Sequence, residues 1–80
     1  MLGINFDIKK HIATLSSTVD KDGYTRNTEL NLISWNDRTP VFDIREWRED
    51  YGQCSYGIKL DPAEMENLVA GYTALKKVVG

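Results

Sequence analysis

Alternating apolar and polar residues in the middle of the chain predict a β-strand at positions 26–35. Successive side chains of a strand point to opposite sides of the sheet. Leu30 and Leu32 therefore share one side, which we name the leucine face. Ile33 and Trp35 share the other side, which we name the tryptophan face. The two faces differ in chemistry, so each predicts a different role.

A second strand of this kind is predicted at positions 40–47, after a short polar turn. Phe42 and Ile44 lie on one side of it, and we expect them to join the leucine face. Arg45 and Trp47 then fall on the tryptophan face. A sheet face that is open and carries aromatic rings and cations is typical of proteins that bind unpaired bases.

Two further strands are expected on either side of this pair. The stretch 6–19 is rich in Thr, Ser and Ile and holds a first strand, centred on positions 11–18. The residues at 20–23 have the composition of a turn. After a polar loop at 48–55, a short fourth strand is predicted at 56–60.

A C-terminal helix is indicated by its capping residues and by its apolar spacing. Asp61 is a good N-cap, Pro62 suits the first helical position, and Glu64 completes a capping-box pattern. We expect the apolar stripe to pack on the leucine face, which makes an α+β fold of β-β-β-β-α order with a curved antiparallel sheet. The stripe consists of Met65, Leu68, Val69, Tyr72, Leu75, Val78 and Val79.

The length of 80 residues predicts one domain, positions 1–80, with a modest core. A chain this short buries only about 60 to 65% of its unfolded surface. A second copy could supply the missing core, so we expect a homodimer formed through the helix and the sheet. Gly71 costs about 1 kcal/mol within a helix, and it would let the helix of a second copy approach closely.

Charge and cysteine content narrow the class of protein. The net charge is −2 and the sequence pI is about 5.2, which argues against a strongly basic nucleic-acid binder, although local placement matters more than the total. Cys54 is the only cysteine, which fits a reducing cytoplasm. No apolar run approaches the roughly 20 residues of a membrane span, and the first residues do not resemble a secretion signal.

The chain resembles a known family in three places. Positions 43–46 read Asp-Ile-Arg-Glu and are followed by an aromatic residue, and positions 57–60 read Gly-Ile-Lys-Leu ahead of the capped helix. This order resembles the transcriptional coactivator family named positive cofactor four. The stretch 29–36 looks closer still to its bacterial YdbC-like branch, and the resemblance covers about 24–75. It implies a homodimeric β-β-β-β-α protein that binds single-stranded DNA with little sequence preference.

The resemblance also implies roles for four residues. Trp35 matches an aromatic residue that stacks on bases, and Arg38 matches a basic residue of the turn that follows. Arg45 and Trp47 match the arginine of the Asp-Ile-Arg-Glu core and the aromatic residue after it. Family members carry several basic residues before the Gly-Ile pair, whereas positions 53–56 here read Gln-Cys-Ser-Tyr. Some phosphate contacts of the family are therefore missing.

Further candidates for nucleic-acid contact come from the residues themselves, and each has a simpler alternative. Arg26 and Lys59 could touch phosphates or could be solvated surface charges, and Tyr24 lies beside the first turn. The two tryptophans could instead be buried in a core or in a dimer interface. Likewise, Arg45 could pair with Asp43 on the same face.

A binding protein is favoured over an enzyme. The sequence has no nucleophile-and-base pattern and no phosphate-binding glycine loop, and His11 has no neighbours at metal-ligand spacing. We therefore expect no catalytic residues, no metal and no cofactor. The preferred partner is single-stranded DNA, with RNA left open, in transcription, replication or repair. The alternative is a protein–protein interaction module that uses the same aromatic sheet face.

Overall fold

The chain forms one antiparallel sheet followed by a helix. The structure, a computed structural model, describes residues 5–79, and of residues 78 and 79 only the backbone. The expectation about a secretion signal falls partly on residues 1–4, which lie outside the described part. The strands pair in the order β1-β2-β3-β4 with antiparallel neighbours, which confirms the predicted α+β order. The elements are β1 (Phe6–Val19), β2 (Thr25–Trp35), β3 (Val41–Arg48), β4 (Ile58–Leu60) and α1 (Pro62–Val79).

The pairing of β2 with β3 confirms the assignment of side chains to the two faces. Leu30 lies opposite Ile44, and Leu32 lies opposite Phe42. Residues directly opposite each other in an antiparallel pair share a face. These four side chains therefore form the leucine face, and both tryptophans lie on the other side of the sheet.

The first strand is long and irregular. Its register with β2 shifts at three places, which leaves Lys9, Ile12 and Leu15 without direct partners. Each extra residue bends and twists a strand, and bulges of this kind also protect an exposed sheet edge from pairing with other chains. Near its start, β1 places Phe6 opposite Trp35, which brings a third aromatic ring onto the tryptophan face.

The main hydrophobic cluster lies on the tryptophan face, and Leu30 is the one buried residue of the four on the leucine face, so the expectation that the leucine face forms the main core is wrong. Ile33 and Trp47 have no exposed surface, and Trp35 is 5% exposed. The bent β1 and the loop at 49–57 fold over these large side chains and exclude water from them. Partly buried side chains around this core are Phe6, Ile8, Val41, Tyr51 and Cys54.

The helix begins as predicted but does not cover the leucine face. The Glu64 amide donates to Asp61 Oδ1 at 2.8 Å and the Asp61 amide donates to Glu64 Oε1 at 2.9 Å, which confirms the capping box. From there α1 contacts only β3 and β4 within the described chain. An open groove of about 720 Å³ separates Phe42 from Met65 and Val69. The expectation that the stripe packs on the leucine face is therefore wrong, because the helix diverges from the sheet.

The turn into β4 requires a glycine at position 57. A Cβ atom on Gly57 would overlap the carbonyl oxygen of Ile44 and the Cβ atom of Arg45. Because backbone atoms cannot move aside cheaply, we expect Gly57→Ala to lower the unfolding free energy by about 1–3 kcal/mol. Urea unfolding followed by tryptophan fluorescence measures this change.

Gly71→Ala is the matched control for that substitution. A Cβ atom on Gly71 meets nothing within 4 Å. Alanine is favoured over glycine inside a helix by about 1 kcal/mol, so at concentrations where the chain is monomeric this variant should be as stable as the wild type or more so. Equal stability of the two alanine variants would contradict the close approach at Gly57.

Candidate nucleic-acid interface

Four aromatic rings form a cluster on the tryptophan face. The indoles of Trp35 and Trp47 are nearly parallel, at 11°, with centroids 6.3 Å apart. Phe6 lies against both, at 5.9 Å from Trp35 and 5.1 Å from Trp47. Tyr51 meets Trp47 edge-on at 5.3 Å. We name these four residues the aromatic cluster, and their geometry is that of favourable aromatic pairs.

The aromatic cluster is closed, which corrects the expectation of an open stacking face. Trp47 is fully buried and Trp35 is 5% exposed, because Phe6 and Tyr51 cover them. The Nε1 atoms of both indoles are buried without a hydrogen-bond partner. Leaving a buried donor unpaired costs about 1–3 kcal/mol. Base stacking on either tryptophan stays a prediction, and it requires the covering side chains to move.

Two cations lie over the ring of Trp35. The guanidinium carbon of Arg45 is 4.5 Å from the ring centre, and Lys59 Nζ is 5.1 Å from it. Arg45 donates two hydrogen bonds to the fully buried carboxylate of Asp43, at 2.6 and 2.7 Å. Burial alone would lower the pKa of Arg45, but the hydrogen bonds and charge of Asp43 raise it above its usual value. The pairing with Asp43 considered above is thus present.

The candidates near the first turn are also paired. Arg26 donates to Asp20 at 2.8 Å, and this hydrogen bond lowers the pKa of Asp20 below its usual value. The guanidinium of Arg48 lies 4.5 Å from the ring centre of Tyr24 and is hydrogen-bonded to Asp50. Sequence reasoning did not include Arg48. A phosphate contact by either arginine would have to compete with a carboxylate.

Arg38 and Lys59 are the two candidate cations without an acidic partner among residues 5–77. The turn after β2 holds the backbone of Arg38 beside Trp35. The Arg38 amide donates to the Trp35 carbonyl at 3.0 Å, and Ser34 Oγ donates to the Arg38 carbonyl at 2.6 Å. The structure therefore brings Arg45 and Lys59 onto the ring of Trp35 and places the backbone of Arg38 in the turn that follows β2. The second group of candidates, Tyr24 and Arg26, lies at the other end of β2.

A buried polar network lies in the middle of the tryptophan face. Glu29 is 3% exposed and Asn31 is fully buried. Asn31 Nδ2 donates to Glu29 Oε1 at 3.0 Å, and the side chain of His11 lies 2.7 Å from Asn31 Oδ1. Tyr51 donates its hydroxyl hydrogen to Glu29 at 2.9 Å. These contacts satisfy the polar groups that the core would otherwise leave unpaired.

Sequence reasoning missed Tyr51. It lies in the polar stretch at 48–55, which was interpreted as an ordinary loop. Its backbone is left-handed, with φ of 58°. Burial and the nearby carboxylate of Glu29 raise the pKa of Tyr51 above its usual value. The available signal was an aromatic residue between the turn-forming Asp50 and Gly52, but that signal does not reveal what the ring covers.

Two features, a metal site and a membrane-spanning helix, are not found in the described part of the chain. No group of three His, Cys, Asp or Glu side chains within residues 5–77 could hold a metal ion. Among residues 5–79, no helix has the length and apolar character needed to cross a membrane.

The fold and the site define a class: a small α+β chain whose antiparallel sheet carries a closed aromatic cluster on one face and mostly half-buried apolar side chains on the other. No family model matches the sequence. An uncharacterized protein of Treponema pallidum (strain Nichols) is 32% identical over 62 residues, which are 78% of this chain and 73% of that protein. The chain belongs to the same family as that protein.

Proposed function

We propose that the chain is a single-stranded DNA-binding protein with little sequence specificity, acting in transcription, replication or repair. The observation that supports this best is the placement of Lys59 and Arg45 over the ring of Trp35, with Arg38 in the adjoining turn. Aromatic rings combined with cations recognise what all single strands share, a base with a π-face and a phosphate. RNA shares these groups, so preference between the two nucleic acids is an outcome of the test.

These three cations have different roles in the proposed site because only Arg45 is held in an ion pair. Arg45 is held by Asp43 and therefore fixes the edge of the site. Lys59 has a flexible side chain and no acidic partner among the described residues, so it can bind a phosphate without first breaking an ion pair. Arg38 likewise has no acidic partner among the described residues, so it too can bind a phosphate without breaking an ion pair. A stacked base would contribute about 1–3 kcal/mol.

Tryptophan fluorescence during titration with poly-dT of about 20 nucleotides tests the proposal. We expect quenching that weakens with salt, with a slope of log affinity on log salt of about −0.7 for each phosphate neutralised. Lys59→Gln should reduce the magnitude of that slope by about 0.7 and weaken binding severalfold at low salt. Poly-U in place of poly-dT reports the preference between RNA and DNA.

Lys76→Gln is the matched control, because Lys76 is an exposed cation near the end of α1 and far along the chain from Trp35. It removes the same charge and should leave both quenching and slope unchanged. An equal loss in the two variants would mean that binding depends on overall charge rather than on the site at Trp35. No quenching with either nucleic acid would favour the alternative, a protein–protein interaction module.

We further propose that the protein acts as a homodimer through α1 and the leucine face. The chain exposes 5781 Å², whereas a folded monomer of this mass exposes about 4900 Å². The chain therefore exposes more surface than is usual for its mass, and a standard interface takes roughly 800 Å² from each partner. Large apolar side chains account for part of this surface, namely Ile58, Leu68, Val69, Tyr72 and Leu75.

Leu68→Glu should convert the dimer into a monomer of 9.1 kDa in a sedimentation experiment. Leu68 is 49% exposed within one chain, and a charge at this position in an interface would be desolvated without a partner. Asn67→Glu adds the same charge at the neighbouring position, off the apolar stripe, and should remain dimeric. A wild-type chain that sediments as a monomer would refute the proposed dimer.

A further inference from the structure

The loop at 49–57 closes the aromatic cluster. Tyr51 makes the principal contact between this loop and the other three rings of the cluster. The Tyr51 ring meets Trp47 edge-on with centroids 5.3 Å apart, and Trp47 has no exposed surface. Cys54 also packs against the cluster, and its backbone forms an isolated bridge with Trp47. Access to Trp47 is therefore controlled by this short segment, which connects β3 to β4.

The closed position of Tyr51 is strained. Its φ of 58° belongs to the left-handed region, which is energetically unfavourable for a residue other than glycine. The hydroxyl group holds the ring by donating to the buried carboxylate of Glu29. The base of the loop is tied separately, through the Arg48 amide to Gln53 and the Ser55 amide to Glu46. Opening the tip therefore breaks one backbone hydrogen bond, from the Tyr51 amide to the Arg48 carbonyl at 2.8 Å, while the base keeps its hydrogen bonds.

The closed cluster also leaves polar groups unsatisfied. The Nε1 hydrogens of Trp35 and Trp47 have no acceptor, although both rings are more than nine-tenths buried. Each unpaired donor raises the free energy of the closed state. Opening would let these donors meet acceptors, and nucleobase carbonyls and phosphate oxygens are acceptors. The closed state is thus destabilised in a way that such a ligand would relieve.

We propose that the loop at 49–57 is a lid on a second stacking position, and that Tyr51 withdraws from Trp47 so that a base of a single strand takes its place. This inference rests on the proposed function, and it adds a position that the closed structure hides. The strand would then meet Trp35 beside Lys59 and Trp47 under the opened lid. A closed lid lowers the apparent affinity by the fraction of molecules that are open.

Tyr51→Gly is the variant that tests the lid, because it removes the covering ring while glycine adopts the positive φ of this position freely and so keeps the loop backbone in place. Without nucleic acid, we expect acrylamide to quench tryptophan fluorescence several times more strongly than in the wild type. With poly-dT, we expect binding about three to ten times tighter, because the closed state no longer competes. Tyr56→Gly is the control: Tyr56 is a fully exposed tyrosine in the same loop, and its loss should not change acrylamide quenching.

The outcomes separate the lid from the proposed function. Wild-type binding to poly-dT with no gain in Tyr51→Gly, in either quenching or affinity, would overturn the lid and leave the proposed function standing. Stronger quenching in Tyr51→Gly with no binding to poly-dT by any variant would overturn the proposed function and the lid's role in it.

A measurement on the wild type covers the case in which Tyr51→Gly does not fold. The indole N–H resonances of Trp35 and Trp47 can be followed by NMR during titration with poly-dT. We expect both to shift, since both donors gain acceptors. A shift of Trp35 alone would show that the lid stays closed when DNA is bound, and it would overturn the inference.

Discussion

Replacing Asp43 with alanine is expected to lower the unfolding free energy by about 3–5 kcal/mol. Asp43 is fully buried, and the side chain of Arg45 that it pairs with is 10% exposed. Removing the carboxylate leaves a buried guanidinium with no counter-charge, which is the costly case for a buried ion pair. Small domains have a total stability of about 5–15 kcal/mol, so the variant should lose a large share of it. Urea unfolding followed by circular dichroism measures the loss.

Asp7→Ala is the matched control for this prediction. Asp7 pairs with Lys9 at 2.7 Å with the same spacing of two residues, but its side chain is 63% exposed. An exposed pair of this kind contributes about 0–1 kcal/mol. A loss for Asp43→Ala no greater than that for Asp7→Ala would contradict the role assigned to the buried pair. Adding Arg45→Met to Asp43→Ala should recover part of the loss, because no unpaired charge remains.

The face assignments were predictable because they depend only on local alternation. The side-chain period of a strand is two, so the placement of Leu30 and Trp35 on opposite sides follows from the strand itself. The start of the helix was predictable for a similar reason, since the capping box of Asp61 and Glu64 spans only four residues. Both features are decided by neighbours in the sequence.

The choice of the buried face was not predictable in this way. Four apolar side chains on the leucine face suggested a core, but burial depends on what covers a face. The covering groups on the tryptophan face come from a distance in sequence: Phe6 lies opposite Trp35, and Tyr51 reaches Glu29 across 22 positions. Whether the leucine face is covered depends on the direction that α1 takes after its capping box. None of these long-range contacts produces a periodic pattern in the sequence.

The sequence predicted which residues form the candidate site better than it predicted how exposed they are to solvent. Trp35 and Arg45 do come together, as their shared face implied, and Lys59, which was not assigned to a face, joins them. The sequence could not show that Arg45 lies over the indole and pairs with Asp43 at the same time, because the rotamer that does both is set by packing. Tyr51 was missed since a left-handed tyrosine is rare and depends on its buried hydrogen bond.

Trp47→Ala is expected to lower the unfolding free energy by about 3–5 kcal/mol, a loss as large as that for Asp43→Ala. The ring is fully buried and contacts Phe6, Trp35 and Tyr51, so its removal opens a cavity among side chains that β-strands hold in place. Circular dichroism during urea unfolding measures the loss without relying on the deleted fluorophore. Tyr56→Ala removes an exposed aromatic residue and should change stability by no more than about 0.5 kcal/mol.

The stability of Trp47→Ala decides how its binding is interpreted. If the variant loses both stability and affinity for poly-dT, the loss of affinity follows from the collapse of the aromatic cluster and says nothing about stacking. Trp47→Phe then becomes the informative change, because it keeps an aromatic ring in the core and removes the indole N–H donor. If Trp47→Ala were as stable as Tyr56→Ala but no longer bound poly-dT, the indole would belong to the ligand site rather than to the core.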